Sequence, residues 1–146
     1  MTGMPFRFAL AICASLAATA SAAQEDPQET APALSVELNA AASSPGGCTL
    51  SFLISNGYEA PIEQAVFETV LFDAEGQVER LTLFDFGTLP PGRPRVRQFT
   101  LPDTSCDTIG RILVNGVSTC EAPDLGAGAC MEGLRLSTRT DIEVIG

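Results

Sequence analysis

From Leu34 onward the apolar side chains of this chain recur at every second position, and no later stretch shows a capped helical period. Leu34, Val36 and Leu38 alternate with Ser35 and Glu37; Cys48, Leu50, Phe52 and Ile54 alternate with Thr49 and Ser51. A pleated strand sends successive side chains to opposite faces, so this pattern predicts half-buried strands and turns Cys48 inward. Residues 65–72 are β-branched and aromatic on both faces for part of their length, as in a central strand. Residues 78–86 continue the pattern to an expected break at Gly87. Residues 93–101 return as a polar strand whose Pro94 confines its start to an edge or strand end. Residues 109–117 form the next apolar run, with a turn or bulge expected at Asn115-Gly116. Leu134, Leu136, Thr138, Thr140, Ile142 and Val144 then predict one last long strand. Asp73-Ala74-Glu75-Gly76 and Leu89-Pro90-Pro91-Gly92 are turn signals. Seven to eight strands at this spacing indicate an all-β sandwich. An outer-membrane barrel also alternates, but it needs aromatic girdles, and the chain has one Tyr and no Trp.

The first residues have a different grammar. Arg7 is the one charged side chain before Glu25, an apolar run follows it, and small residues end the segment at Ala20-Ser21-Ala22 or Ser21-Ala22-Ala23. That order is the signature of a secretory signal, and the apolar run is shorter than the roughly 20 residues a spanning helix needs. Leu10-Ala11-Ile12-Cys13 has the outline of a lipoprotein box, yet the bulky Ile before the Cys and the short run ahead of it argue against lipidation. The expected organisation is a signal over 1–23, an acidic, Pro-bearing leader over 24–32 and a sandwich domain over 33–146. Periplasmic or secreted localisation follows, and no integral membrane segment is expected after cleavage.

Loss of the signal removes Cys13 and leaves Cys48, Cys106, Cys120 and Cys130. An even number in a small exported domain predicts two disulfides, and four cysteines allow three pairings. Cys120–Cys130 is favoured because a flexible Pro- and Gly-bearing loop joins its ends, which leaves Cys48–Cys106 to bridge facing sheets. A four-Cys zinc site is disfavoured, since no Cys-x-x-Cys pair is present and the compartment is oxidising.

The 146 residues include no His and no Lys, and 18 acids face eight arginines for a formal charge of −10. The absent types exclude imidazole bases and ligands, Schiff bases and a P-loop lysine. The negative charge repels phosphate backbones, so nucleic acid is not an expected partner. No cofactor or metal is expected. Asp73 and Glu75 before Gly76 have the outline of a calcium loop but lack its full ligand set, and a hairpin turn explains them.

Leu71-Phe72-Asp73, Gly76 and the later Gly87-Thr88-Leu89-Pro90-Pro91-Gly92 resemble the FxLYD-type domains, small exported immunoglobulin-like sandwiches. Those domains place Leu-Tyr-Asp at a strand end, then a turn Gly, then a Gly-x-Leu-x-Pro-Gly turn. Here Phe72 stands for the Tyr, and Thr69 occupies the motif's Phe position. The resemblance covers about residues 50–101. The mature chain as a whole also resembles exported β-sandwich proteins of Gram-negative bacteria. Both resemblances imply a fold, and neither brings a catalytic residue.

Arg93, Arg95 and Arg97 are spaced two apart, which on a strand places all three on one face. Guanidinium groups match carboxylates and phosphates bidentately, so the stripe is a candidate edge for an acidic partner segment. The plainer expectation is a ladder with acids on a neighbouring strand, such as Glu79 or Asp85. Catalysis would have to rest on carboxylates, Glu63, Glu68 or Asp85 among them, and 18 acids make such candidates easy to name. Tyr58, the lone tyrosine, is expected in a loop. The expected function is a non-enzymatic binding or assembly module whose partner is another envelope protein. The alternatives are a carboxylate-dependent hydrolase of envelope polymers and a soluble carrier holding an apolar ligand between its sheets.

Overall fold

The structure, a computed structural model, describes residues 31–146 together with Met1 and Gly3. The expected signal over 1–23, apart from Met1 and Gly3, and most of the leader over 24–32 lie outside the described residues. Among the described residues eight strands follow one another: β1 (Leu34–Ser44), β2 (Gly47–Asn56), β3 (Ile62–Asp73), β4 (Val78–Leu89), β5 (Arg95–Leu101), β6 (Ile109–Glu121), β7 (Arg135–Thr138) and β8 (Glu143–Ile145). A single 3-10 turn, Cys106–Thr108, precedes β6. One sheet has the order β5-β2-β1-β7 and the other β4-β3-β6-β8. Packed face to face, they form the expected all-β sandwich.

The alternation read from the sequence is the burial pattern of the strands. Leu34, Val36, Leu38, Leu50, Phe52 and Ile54 of the first sheet pack against Phe67, Leu71, Phe84, Phe86, Ile112 and Val114 of the second. Phe52, Phe84, Phe86 and Phe99 form the aromatic centre, with the Phe84 and Phe99 rings stacked at 4.5 Å. Full burial of a large apolar side chain stabilises by roughly 1.5–3 kcal/mol, so these rings are a main source of cohesion between the layers. The void left between the sheets is about 10 Å³, no more than water-sized.

Both favoured disulfides are present. Cys48–Cys106 spans 58 residues and ties β2 of one sheet to the turn that begins β6 of the other; Cys120–Cys130 closes the loop after β6. Gly47 opens β2 at a φ of 131°, and a Cβ there would lie 2.0 Å from the Leu101 carbonyl oxygen. Only glycine fits so close to β5.

Two expectations need correction. The break at Gly87 is a bulge: β4 runs on to Leu89, with Gly87 at a φ of 64° opposite Ala65 and the Asp85 carboxylate accepting the Gly87 N–H at 2.8 Å. A short side chain closing onto its own backbone lets the strand kink without ending. The last long strand is two short ones in different sheets. β7 pairs parallel to β1, β8 pairs parallel to β6, and the chain crosses between layers over residues 139–142. Hydroxyls make the corner: Thr138 Oγ1 accepts the Thr140 N–H and Thr140 Oγ1 accepts the Ile142 N–H, drawing those amides from any ladder. Asn115-Gly116, by contrast, is a bulge within β6, as one of its two expectations had it.

Candidate functional site

The two sides of the sandwich differ. On one side the sheets end in the short strands β7 and β8. On the other they end in β4 and β5, of 12 and 7 residues. An edge strand presents unpaired N–H and C=O groups, so β4 offers the longest open template on the molecule. Apart from Met1, the exposed large apolar side chains among the described residues are Val78 (57 %), Leu81 (72 %), Leu83 (57 %) and Val96 (61 %). All four lie on β4 or β5. Leu81 also opens a row across the outer face of its sheet, paired with Val70, then Leu113, then Ile145. Beside it a groove of about 260 Å³ is lined by Glu68, Val70, Leu81, Leu83 and Asn115.

The arginine stripe divides. Arg95 and Arg97 share a face of β5, while Arg93 precedes the strand, exposed, before Pro94. The shared face is the inner one, in phase with Phe99 and the buried Leu101. Arg97 reaches across the seam to β4 of the other sheet, and its partners are backbone carbonyls instead of the acids of a ladder: its Nε donates to the Phe86 carbonyl at 2.8 Å and its Nη2 to the Thr88 carbonyl at 3.4 Å. Arg80, from β4, makes the return contact, donating to the Pro102 carbonyl at 3.2 Å. The two guanidinium struts fasten the edge strands together at either end of the stretch 81–85. The ion pairs among the described residues are Arg111–Glu143 and Arg139–Glu37, and neither involves Glu79 or Asp85.

No family model, curated protein or solved structure matches this chain.

The carboxylates named as catalytic candidates stay on the surface: Glu63, Glu68 and Asp85 are exposed, and Asp85 is bonded to Gln64 and the Gly87 amide. Asp73 closes the β3–β4 hairpin, its Oδ1 accepting the Glu75 and Gln77 amides. The buried polar side chains among the described residues are Asn56, Thr69 and Thr104, none of them ionisable. Tyr58 is half-buried in the loop after β2 and donates its hydroxyl to the Ala129 carbonyl at 3.0 Å. Burial raises its pKa, with the nearby Glu132 adding to the effect and Arg135 opposing it. Thr69 is buried and donates to the Thr82 carbonyl at 3.0 Å.

One residue that positions this side of the molecule was missed. Asn56 is 2 % exposed and its Nδ2 donates to the Ala60 and Leu89 carbonyls, each at 2.9 Å, while its Oδ1 accepts the Tyr58 N–H at 2.8 Å. Its own carbonyl accepts the Gly92 N–H at 3.0 Å, so Asn56 pins the β4–β5 turn to the end of β2. The signal was available: position 56 continues the buried phase of 48, 50, 52 and 54, and a polar side chain in that phase requires partners.

Proposed function

We propose that this chain is a non-enzymatic binding or assembly module of the periplasm or extracellular space, with an immunoglobulin-like domain of the FxLYD kind. It takes an extended segment of another envelope protein onto the side where β4 and β5 end their sheets. One observation carries the reading: three of the four exposed large apolar side chains of the described domain, Val78, Leu81 and Leu83, lie along the single edge strand β4. Isolated surface apolar residues are ordinary, but a cluster along an open edge marks an interaction surface. The signal-like order of residues 1–23 and the two disulfides support export. The exposed positions of Glu63, Glu68 and Asp85 favour the module over the carboxylate hydrolase, and the water-sized void favours it over the carrier. In this reading Arg97 braces the β5 edge, and Arg93 and Arg95 are its positive contacts for acidic groups of the partner.

Site-specific photo-crosslinking in the native envelope tests it. A crosslinker at Val96 or at Leu83 is expected to give the same adduct, and one at Ser137 on the opposite side none. Absence of an adduct from both edge positions, or an equal yield at Ser137, would overturn the proposal.

A further inference from the structure

We infer that β4 is a receptor edge for an extended segment of another exported protein whose side chains on one face run cation, apolar, apolar, cation. The inference rests on the module reading above and adds the chemistry of the partner.

The outward face of β4 supplies the argument. Phe84 and Phe86 are buried on the inner face, so the alternate residues Glu79, Leu81, Leu83 and Asp85 face outward, all exposed. Read along the strand this face is acid, apolar, apolar, acid. A strand added to an edge sets its side chains directly beside those of the edge, where apolar pairs and opposite charges stabilise and like charges destabilise. Apolar residues of the incoming segment would sit beside Leu81 and Leu83, and Lys or Arg beside Glu79 and Asp85. Because the pattern is the same in both directions, parallel and antiparallel addition meet it equally.

The surroundings sharpen the charge. Glu68 pairs with Leu83 on the next strand and lines the groove beside it. No ion pair among the described residues involves Glu79 or Asp85: Arg80 is directed to the Pro102 carbonyl, Arg97 to the Phe86 carbonyl and Arg111 to Glu143. The two struts also frame the site, leaving residues 81–85 as the open stretch.

Charge complementarity selects against a second copy. Two β4 edges paired so that Leu81 meets Leu83 would set Glu79 against Asp85 at both ends. Pairing Leu81 with Leu81 would set Glu79 against Leu83, and each chain carries a formal −10. The matching partner is cationic where this chain is acidic.

Three synthetic heptapeptides provide the probe for the exported, disulfide-bonded protein. One alternates lysine, threonine and valine with lysine at both ends; the second has glutamate at the ends; the third has the first one's composition with its valines adjacent. Amide chemical shifts report binding. The lysine-ended peptide is expected to shift residues 79–85 and to bind at least about tenfold more tightly than either other. The Glu79→Lys/Asp85→Asn variant, which keeps an acceptor for the Gly87 amide, is expected to abolish that preference while retaining the fold by circular dichroism. Equal binding of the three peptides, no binding, or an unchanged preference in the variant overturns the inference. So does a concentration-dependent dimer dissolved by Leu81→Arg, which would assign the edge to a second copy. If crosslinking at Leu83 and Val96 still finds a partner while the peptides fail, the charge code falls and the module stands; if both fail, both fall.

Discussion

Replacing Asn56 by alanine tests how the binding side is held in place. The side chain is almost fully buried and makes three hydrogen bonds, two from Nδ2 to the Ala60 and Leu89 carbonyls and one to Oδ1 from the Tyr58 amide. Asn56→Ala orphans all three partners. The Leu89 carbonyl bond is fully buried, and leaving such a group unpaired costs about 2 kcal/mol; the two part-buried partners cost about 1 kcal/mol each. The expected loss is thus ~4 kcal/mol, a large share of the 5–15 kcal/mol typical of a domain. Asn56→Asp separates donors from shape. It keeps an acceptor for the Tyr58 amide but turns a carboxylate oxygen on two carbonyls. Burial and those carbonyls raise its folded pKa, so the variant is least impaired below the ordinary aspartate value of about 3.9 and loses stability as pH rises through it. Guanidinium unfolding of the oxidised protein, followed by far-ultraviolet circular dichroism and Tyr58 fluorescence, measures both. Ser118→Ala, at an exposed position, is the control and should stay within about 0.5 kcal/mol. A loss below about 1 kcal/mol for Asn56→Ala, or an Asn56→Asp variant equally stable at acid and neutral pH relative to the parent, refutes the reasoning.

Removing the longer disulfide with Cys48→Ser/Cys106→Ser should cost ~4 kcal/mol by loop entropy, and removing Cys120–Cys130 ~3 kcal/mol, read as shifts in the same unfolding transition. The phenol of Tyr58 should titrate above the ordinary value of about 10, and return to it in denaturant; with no Trp in the chain, phenolate absorbance follows it directly. Glu37 should carry acid sensitivity: hydrogen bonding from Asn39 lowers its pKa, burial opposes this, and the Arg139 hydrogen bond and charge lower it further. Its stabilisation is complete above the ordinary glutamate value and fades as pH falls through the depressed one, so Glu37→Gln should flatten the acid limb of stability against pH.

How much of this was legible depends on what alternation can encode. The phase of Leu34, Val36 and Leu38, and of Cys48 through Ile54, reports which face is buried, and the structure buries that face. Phase does not report whether a strand continues. Leu134 and Leu136 share a phase with Ile142 and Val144, which suits one straight strand, and equally suits two strands that bury the same side on either side of a corner. The corner is written in Thr138 and Thr140, whose hydroxyls bond locally, and threonine is equally common inside strands. Gly87 is similar: a glycine in a strand pattern serves a break or a bulge, and the Asp85 carboxylate two residues earlier decides for the bulge. For the site, the spacing of Arg95 and Arg97 was legible but their direction was overlooked. Phe99 and Leu101 are in phase with them and face the core, so the Arg97 guanidinium enters the seam, while that of Arg95, at the strand's start, makes an exposed bond back to the Pro94 carbonyl. The acidic bracket around Leu81 and Leu83 becomes visible once β4 is known to be an edge, and strand order is a long-range property that local pattern does not contain.

The parallel pairing of β1 with β7 joins Ser35 to Arg135, nearly opposite ends of the domain. A chain that emerges N-terminus first delivers β1 early and its second neighbour a hundred residues later. During that interval β1 has β2 on one flank and nothing on the other, a vacancy that a chaperone or a sister chain could fill. Domains dominated by such distant pairings mature slowly. Docking of β7 against β1, rather than collapse of the first hairpins, is therefore the event that closes this sheet.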